Sequence, residues 1–195
     1  NVGGEFIQIS PASKNCINIM EIRKVDNSVN ELLDGPTLDA SALAGKIQRL
    51  HIFFSLLIPD MSHEEKQLLD EALIKTYARK GITHKNESLT DPQHPEQYKK
   101  MPILEDVYNV LLESEDTKRL AHILNRLVHG SASSFNQQTN VDLTNKYTVL
   151  DISELTGSSD LLTVGMFVAL DYVWDKAKEN RTEEKAIFVD EVWQL

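Results

Sequence analysis

The sharpest chemical signal in the chain is Ile187-Phe188-Val189-Asp190-Glu191, an apolar run that ends in two carboxylates. In an open parallel sheet, ligands bind beyond the carboxyl ends of the strands. A strand stopping in two acids delivers both to that rim. Asp190 is then placed to hold Mg²⁺, usually through water, and Glu191 to polarise a water for in-line attack on a γ-phosphate. Many strands stop at an acidic turn, so the pair gains meaning only from its place at the end of a strand-helix-strand pattern. The phosphate loop that normally accompanies such acids is absent: G-x-x-x-x-G-K-[ST] occurs nowhere in the 195 residues. Gly45-Lys46 is followed by Ile47 inside an apolar helical run, so no lysine is assigned to the phosphates.

Other residue types offer less. The histidines His51, His63, His84, His94, His122 and His129 are scattered, and His63-Glu64-Glu65 lacks the second histidine of H-E-x-x-H. His122 and His129 share a helix face seven residues apart without meeting. Cys16 sits in an apolar cluster and reads as core rather than nucleophile. Gly130-Ser131-Ala132-Ser133-Ser134 follows a helix and reads as a capping loop. Trp174 and Trp193 read as core or interface aromatics.

The elements that must position Asp190 and Glu191 follow from periodicity. Residues 5–9 read as a strand stopped by Ser10-Pro11, and residues 15–22 carry a second apolar cluster. From about 42 to 129 the spacing is helical. Ala42, Leu43, Ile47, Leu50, Phe53, Phe54 and Leu57 form one stripe ended by Pro59. Ser62 with Glu65 is a capping box for a helix that stops at Gly81. A polar loop over 83–100 follows, then helical spacing resumes from Leu104 to Gly130. Residues 146–152 read as a strand, 161–179 as an apolar helix and 185–191 as a second strand. That βαβ unit implies a parallel sheet with a right-handed crossover. The fold class expected is therefore α/β, divided as 1–41, a helical insertion over 42–139, and 140–195.

Composition sets outer bounds. With 41% hydrophobic and 26% charged residues the chain can bury a core. Twenty basic against thirty acidic residues give a net charge of −10, which argues against wrapping by nucleic acid. The single cysteine precludes an intrachain disulfide and suits a reducing cytoplasm. The most apolar stretch, 161–174, is broken by Asp171 and is shorter than the roughly 20 residues a membrane span needs. Both ends read as cut, as in a piece of a larger polypeptide.

Taken in order, these pieces resemble a known family. Gly3-Gly4-Glu5-Phe6-Ile7-Gln8-Ile9-Ser10-Pro11 with Ile17-Asn18-Ile19-Met20 is similar to the "GGE-hydrophobic-ISP … INP" stretch of conjugation ATPases of the TraC/TrbE type, the VirB-family traffic ATPases of type IV secretion. Ile19 stands where that pattern has Pro. Leu69-Asp70-Glu71-Ala72 with Tyr77 to Ile82 looks like their "LDEAI…VYxxxGI" helix. Thr139-Asn140-Val141-Asp142-Leu143, Val149 to Leu155, and Ile187 to Leu195 resemble their "TNVDL", "FDIS-L" and Walker B segments. The resemblance implies a partial RecA-like P-loop NTPase core with a large all-helical insertion, the phosphate loop lying upstream of Asn1. It implies Asp190 as the Walker B aspartate, Glu191 as the catalytic glutamate, and ATP with Mg²⁺ as cofactors. It further implies a cytoplasmic hexamer at the inner face of the membrane, working with other secretion or conjugation components and without direct nucleic-acid contact by this part. On this reading, the chain without its phosphate loop is inactive. The alternatives are a DNA-pumping coupling protein of the same superfamily and a non-enzymatic helical interaction module.

Overall fold

The computed structural model describes residues 4–11, 13–23, 41–179 and 183–190. Two short strands, β1 (Glu5–Gln8) and β2 (Thr148–Asp151), pair in parallel with Glu5 opposite Thr148 and Gln8 opposite Asp151. Parallel strands cannot be joined by a tight turn and need a long crossover. Here the crossover contains four helices: α1 (Ala42–Leu57), α2 (His63–Arg79), α3 (Leu104–Leu111) and α4 (Lys118–Val128). A fifth helix, α5 (Ser159–Glu179), follows β2.

Local chemistry sets most helix ends. The Ser41 hydroxyl accepts from the Ala44 N–H at 3.2 Å, opening α1. Ser62 and Glu65 exchange bonds of 3.1 and 2.8 Å in the expected capping box. The chain leaves α2 through Gly81 at φ +68°, a left-handed conformation that costs glycine little. The Asp106 carboxylate accepts from the Ile103 N–H at 2.8 Å and begins α3.

One contiguous apolar core links the layers. α1 packs on α5, α2 on α3, and α3 on α4. The Phe53 ring lies edge-on to Phe54 at 5.4 Å and meets Phe167 of α5 at 6.5 Å. At Gly165, α5 passes so close to the turn at Ser153–Leu155 that an added Cβ would stand 2.1 Å from Leu155 Cδ1. The loop over 83–100 is anchored rather than fully exposed: Leu89 is buried, and Thr90 bridges Tyr98. The apolar cluster at 15–22 is irregular chain, with Ile17, Ile19, Met20 and Ile22 buried. None of the described helices is long and apolar enough to cross a membrane.

One expectation fails. Among the described residues, 185–190 form no strand, and the parallel pair is β1 with β2. A strand exists only where a neighbour at about 4.8 Å completes its ladder. Between β2 and residues 186–190 lies instead a cavity of about 550 Å³. Ile187, Phe188 and Val189 are accordingly exposed, Phe188 by 93%.

Candidate functional site

Asp190, the expected magnesium ligand, is exposed at the end of the irregular 183–190 segment. It borders the same cavity as Asp151, Ser153 and Thr156, on the side where β2 ends. The α5 side chains Leu162, Met166, Ala169 and Val173 also line it. Glu191, the expected catalytic glutamate, lies outside the described residues, as does Trp193. Among the described residues no three His, Cys, Asp or Glu side chains gather to hold a metal. A carboxylate is the hard oxygen donor that Mg²⁺ prefers, and one protein carboxylate suffices where water and phosphate oxygens complete the shell. Asp190 fits that donor type.

The strongest polar assembly lies on the opposite side of α5. Lys46 is completely buried, and its Nζ donates to Ile19 O at 3.2 Å and Asp171 Oδ2 at 3.3 Å. Arg49, one turn later on α1, donates to Asp171 at 2.9 Å and Asp175 at 2.6 Å. Arg23 Nη1 reaches Asp175 at 2.9 Å while its guanidinium lies over the Tyr172 ring at 4.5 Å. Arg23 Nε has no hydrogen bond, but Glu21 stands 3.3 Å away as an ion partner. Burial pulls the Lys46 amine down to about 8 against the attraction of Asp171. Burial alone would raise Asp175, yet its hydrogen bond from Arg49 and the charges of Arg49, Lys46 and Arg23 hold it below the usual carboxylate range. This cluster welds α1, α5 and the 18–23 segment together.

Two segments of the family-like pattern meet beside it. Cys16 N–H donates to Asn140 Oδ1 at 2.7 Å, and Asn140 N–H donates back to Cys16 O at 3.1 Å. Asn18 N–H donates to Thr139 Oγ1 at 3.0 Å, and the Asn18 amide donates to Pro102 O at 2.9 Å. The Tyr77 hydroxyl donates to Met20 O. Asn140 and Asn18 thus pin the chain leading into the helical layer to the chain leaving it, and Tyr77 ties the entering chain to α2. Sequence reading missed the charged cluster, although its signal was present: Lys46 falls on the apolar stripe of α1, and Asp171 and Asp175 interrupt the apolar α5.

The remaining candidates are placed as follows. Burial pushes the Cys16 thiol up to about 11, so it stays protonated near neutral pH, and the sulfur lies 3.4 Å from Gln137 O. Ser134 is buried and donates to Ser10 O at 2.8 Å. His51 pairs with Asp70 at 2.9 Å, and His129 meets the Tyr108 ring edge at 5.3 Å. Trp174, expected in a core or interface, is 55% exposed beneath the Lys178 ammonium.

A small parallel sheet, an apolar helix crossing behind it and a large helical layer inserted between its strands make up part of a P-loop ATPase-like core. The particular likeness is to VirB4 of Thermoanaerobacter pseudethanolicus: TM-score 0.80 and 25% identity, over 98% of this chain and 69% of that one. The structure therefore agrees with the sequence resemblance to VirB4/TraC-type ATPases of type IV secretion. No protein-family model matches the chain, and no curated protein matches it by sequence.

Proposed function

We propose that the chain is part of an ATPase that powers conjugative transfer or assembly of a type IV secretion machine through Mg-ATP hydrolysis. The observation that carries this is the VirB4 likeness over 98% of the chain, together with an acidic pair following an apolar run. Asp190 would hold Mg²⁺ through water, and Glu191 would take the proton of the attacking water. The magnesium ion would supply charge neutralisation between the β- and γ-phosphates. The helical layer, welded to α5 through Lys46 and Arg49, would pass the nucleotide state to neighbouring subunits of a hexamer and to other components of the machine. The setting is the cytoplasmic face of the membrane. The domain partition proposed with this reading is 1–41, 42–139 and 140–195.

The sequence lacks a phosphate loop, so residues 1–195 alone are expected neither to bind nor to hydrolyse ATP. The test uses a longer polypeptide that contains such a loop. Wild type should hydrolyse Mg-ATP, and Glu191→Gln should lose about a hundredfold or more in kcat with ATP binding retained, the size expected of a general base. A Glu191→Gln protein that hydrolyses at the wild-type rate overturns the assignment. A longer wild type that contains the loop yet neither binds nor hydrolyses ATP overturns the ATPase reading.

A further inference from the structure

α5 is buried around most of its circumference, and its apolar rows repeat at one-turn spacing. Val164 is followed by Val168, Leu162 by Met166, and Leu161 by Gly165 and Ala169. Residues four apart share a helix face and lie about 6 Å apart along its axis. A one-turn slip of α5 would therefore exchange apolar groups for apolar groups along these rows, and swaps that conserve volume cost little. Apolar burial alone leaves the register of this helix weakly defined.

Two features oppose the slip, one polar and one steric. Toward α1, the buried Lys46 ammonium has Asp171 at 3.3 Å, and Arg49 has Asp171 at 2.9 Å and Asp175 at 2.6 Å. A slip in one direction sets Phe167 opposite Lys46 and takes the carboxylate away from it. A slip in the other sets Asp171 against the Phe53 ring, where Phe167 now lies at 6.5 Å. Either displacement leaves a buried charge without its partner, which is costly. On another face of α5, Gly165 passes the turn at Ser153–Leu155, where an added Cβ would stand 2.1 Å from Leu155 Cδ1. A one-turn slip brings Leu161 or Ala169 into that notch.

We propose that the Lys46–Arg49–Asp171–Asp175 cluster and the Gly165 notch together form a two-pin register lock on α5. Either pin alone holds the helix in place, and only the loss of both frees it. A single buried polar residue fixes register in the same way in coiled coils. The consequence is mechanical: α1 cannot step along α5, so the two helices move as one body. The inference does not depend on nucleotide chemistry, and neither does its test.

The experiment is NMR of the methyl groups and phenylalanine rings in the 195-residue chain. One variant is the apolar quartet of Lys46→Met, Arg49→Met, Asp171→Leu and Asp175→Leu, in which Arg23 keeps Glu21 at 3.3 Å. A second is Leu155→Val, which removes the δ carbons that close the notch. The third combines them. The quartet and Leu155→Val should each give one set of signals with the Phe53–Phe167 cross-peak of the wild type. The combined variant should show a second set for Val164 and Val168, at about a tenth of the total intensity or more, as expected of a populated minor state. That second set should carry a cross-peak from Phe53 to Thr163 or to the methyls introduced at position 171. Three results would overturn the proposal. The first is a combined variant with one set of signals and only the Phe53–Phe167 cross-peak. The second is a second set in either parent variant, which would leave one pin in place of two. The third is a combined variant that does not fold although both parents do, which would make the two features supports of the fold and not of its register.

Discussion

The two sides of α5 obey opposite rules. Toward α1, polar groups are buried and partnered: Lys46 has the Ile19 carbonyl and Asp171, and Asp175 has Arg49 and Arg23. Toward β2, the cavity faces main-chain groups that no described backbone group meets, and Phe188 and Val149 show apolar surface to solvent. A buried charge without its partner costs several kcal/mol, so the first side has one workable arrangement. The second side has no such constraint. Stability resides where the buried polar groups are partnered, and the other side leaves main-chain groups and apolar surface open.

The largest effect should come from opening the closed side. Asp171→Ala leaves the buried Lys46 ammonium with only the Ile19 carbonyl, while Arg49 keeps Asp175, and should cost about 3–5 kcal/mol in urea unfolding. The double replacement Lys46→Met with Asp171→Leu should recover most of that loss, since no uncompensated charge then remains. If Asp171→Ala unfolds at the wild-type urea midpoint, the contrast between the two sides collapses. Gly165→Ala tests close packing rather than charge: the new methyl meets Leu155, and repacking should cost about 1–3 kcal/mol.

A smaller effect depends on pH. The Lys46 amine loses its proton near pH 8 when folded, against an ordinary value of 10.5. Between those values the unfolded chain binds a proton that the folded chain has released, so stability rises with pH. Cys16 works the other way above its ordinary 9.0, and Tyr77, pushed up by burial, does so above 10.0. The clean window is therefore pH 8 to 9, where Lys46 should add about 1 kcal/mol. Melting curves should show a net rise in wild type, while Lys46→Met should lose it and drift slightly downward across the same interval as the unfolded Cys16 thiol begins to ionise. On the open side, Phe188→Ser should change stability by less than about 0.5 kcal/mol, because the side chain is already in water. A larger loss would mean that residues 186–190 are packed against something in solution.

Local signals were legible, and pairings were not. Ser62 with Glu65, Pro59 and Gly81 each carry their own physical reason for a helix boundary, and the helices stand where those residues imply. Helical spacing likewise marks Leu50, Phe53, Leu69 and Leu73 as core. The strand of β1 was visible, but its partner was not, because parallel pairing across an entire helical layer leaves no trace in the spacing of either strand. The apolar run at 185–191 suggested a strand in the same parallel sheet as β2, yet sequence cannot show that a cavity lies between β2 and residues 186–190. Lys46 and Asp171 each looked like a flaw in an apolar stripe. Only the crossing of α1 and α5 turns two flaws into a pair. For the candidate site, the sequence marked Asp190 by its place after an apolar run, and the structure sets it beside the cavity at the end of β2.

The bonds joining Cys16 to Asn140 have a consequence for how the molecule assembles in time. They link positions 124 residues apart, and closing a loop of that length costs about 4 kcal/mol of chain entropy before any contact is made. The helices within the loop need no such prepayment, since their contacts are between neighbours in the chain. Collapse of α2, α3 and α4 should come first and shorten the effective loop. The Cys16–Asn140 doorway would close next, and β1 would find β2 last. In pulse-labelling exchange during refolding, amides of Leu69 and Leu124 should gain protection well before those of Ile7 and Ile9. The helical layer then acts as the clamp that makes the sheet affordable.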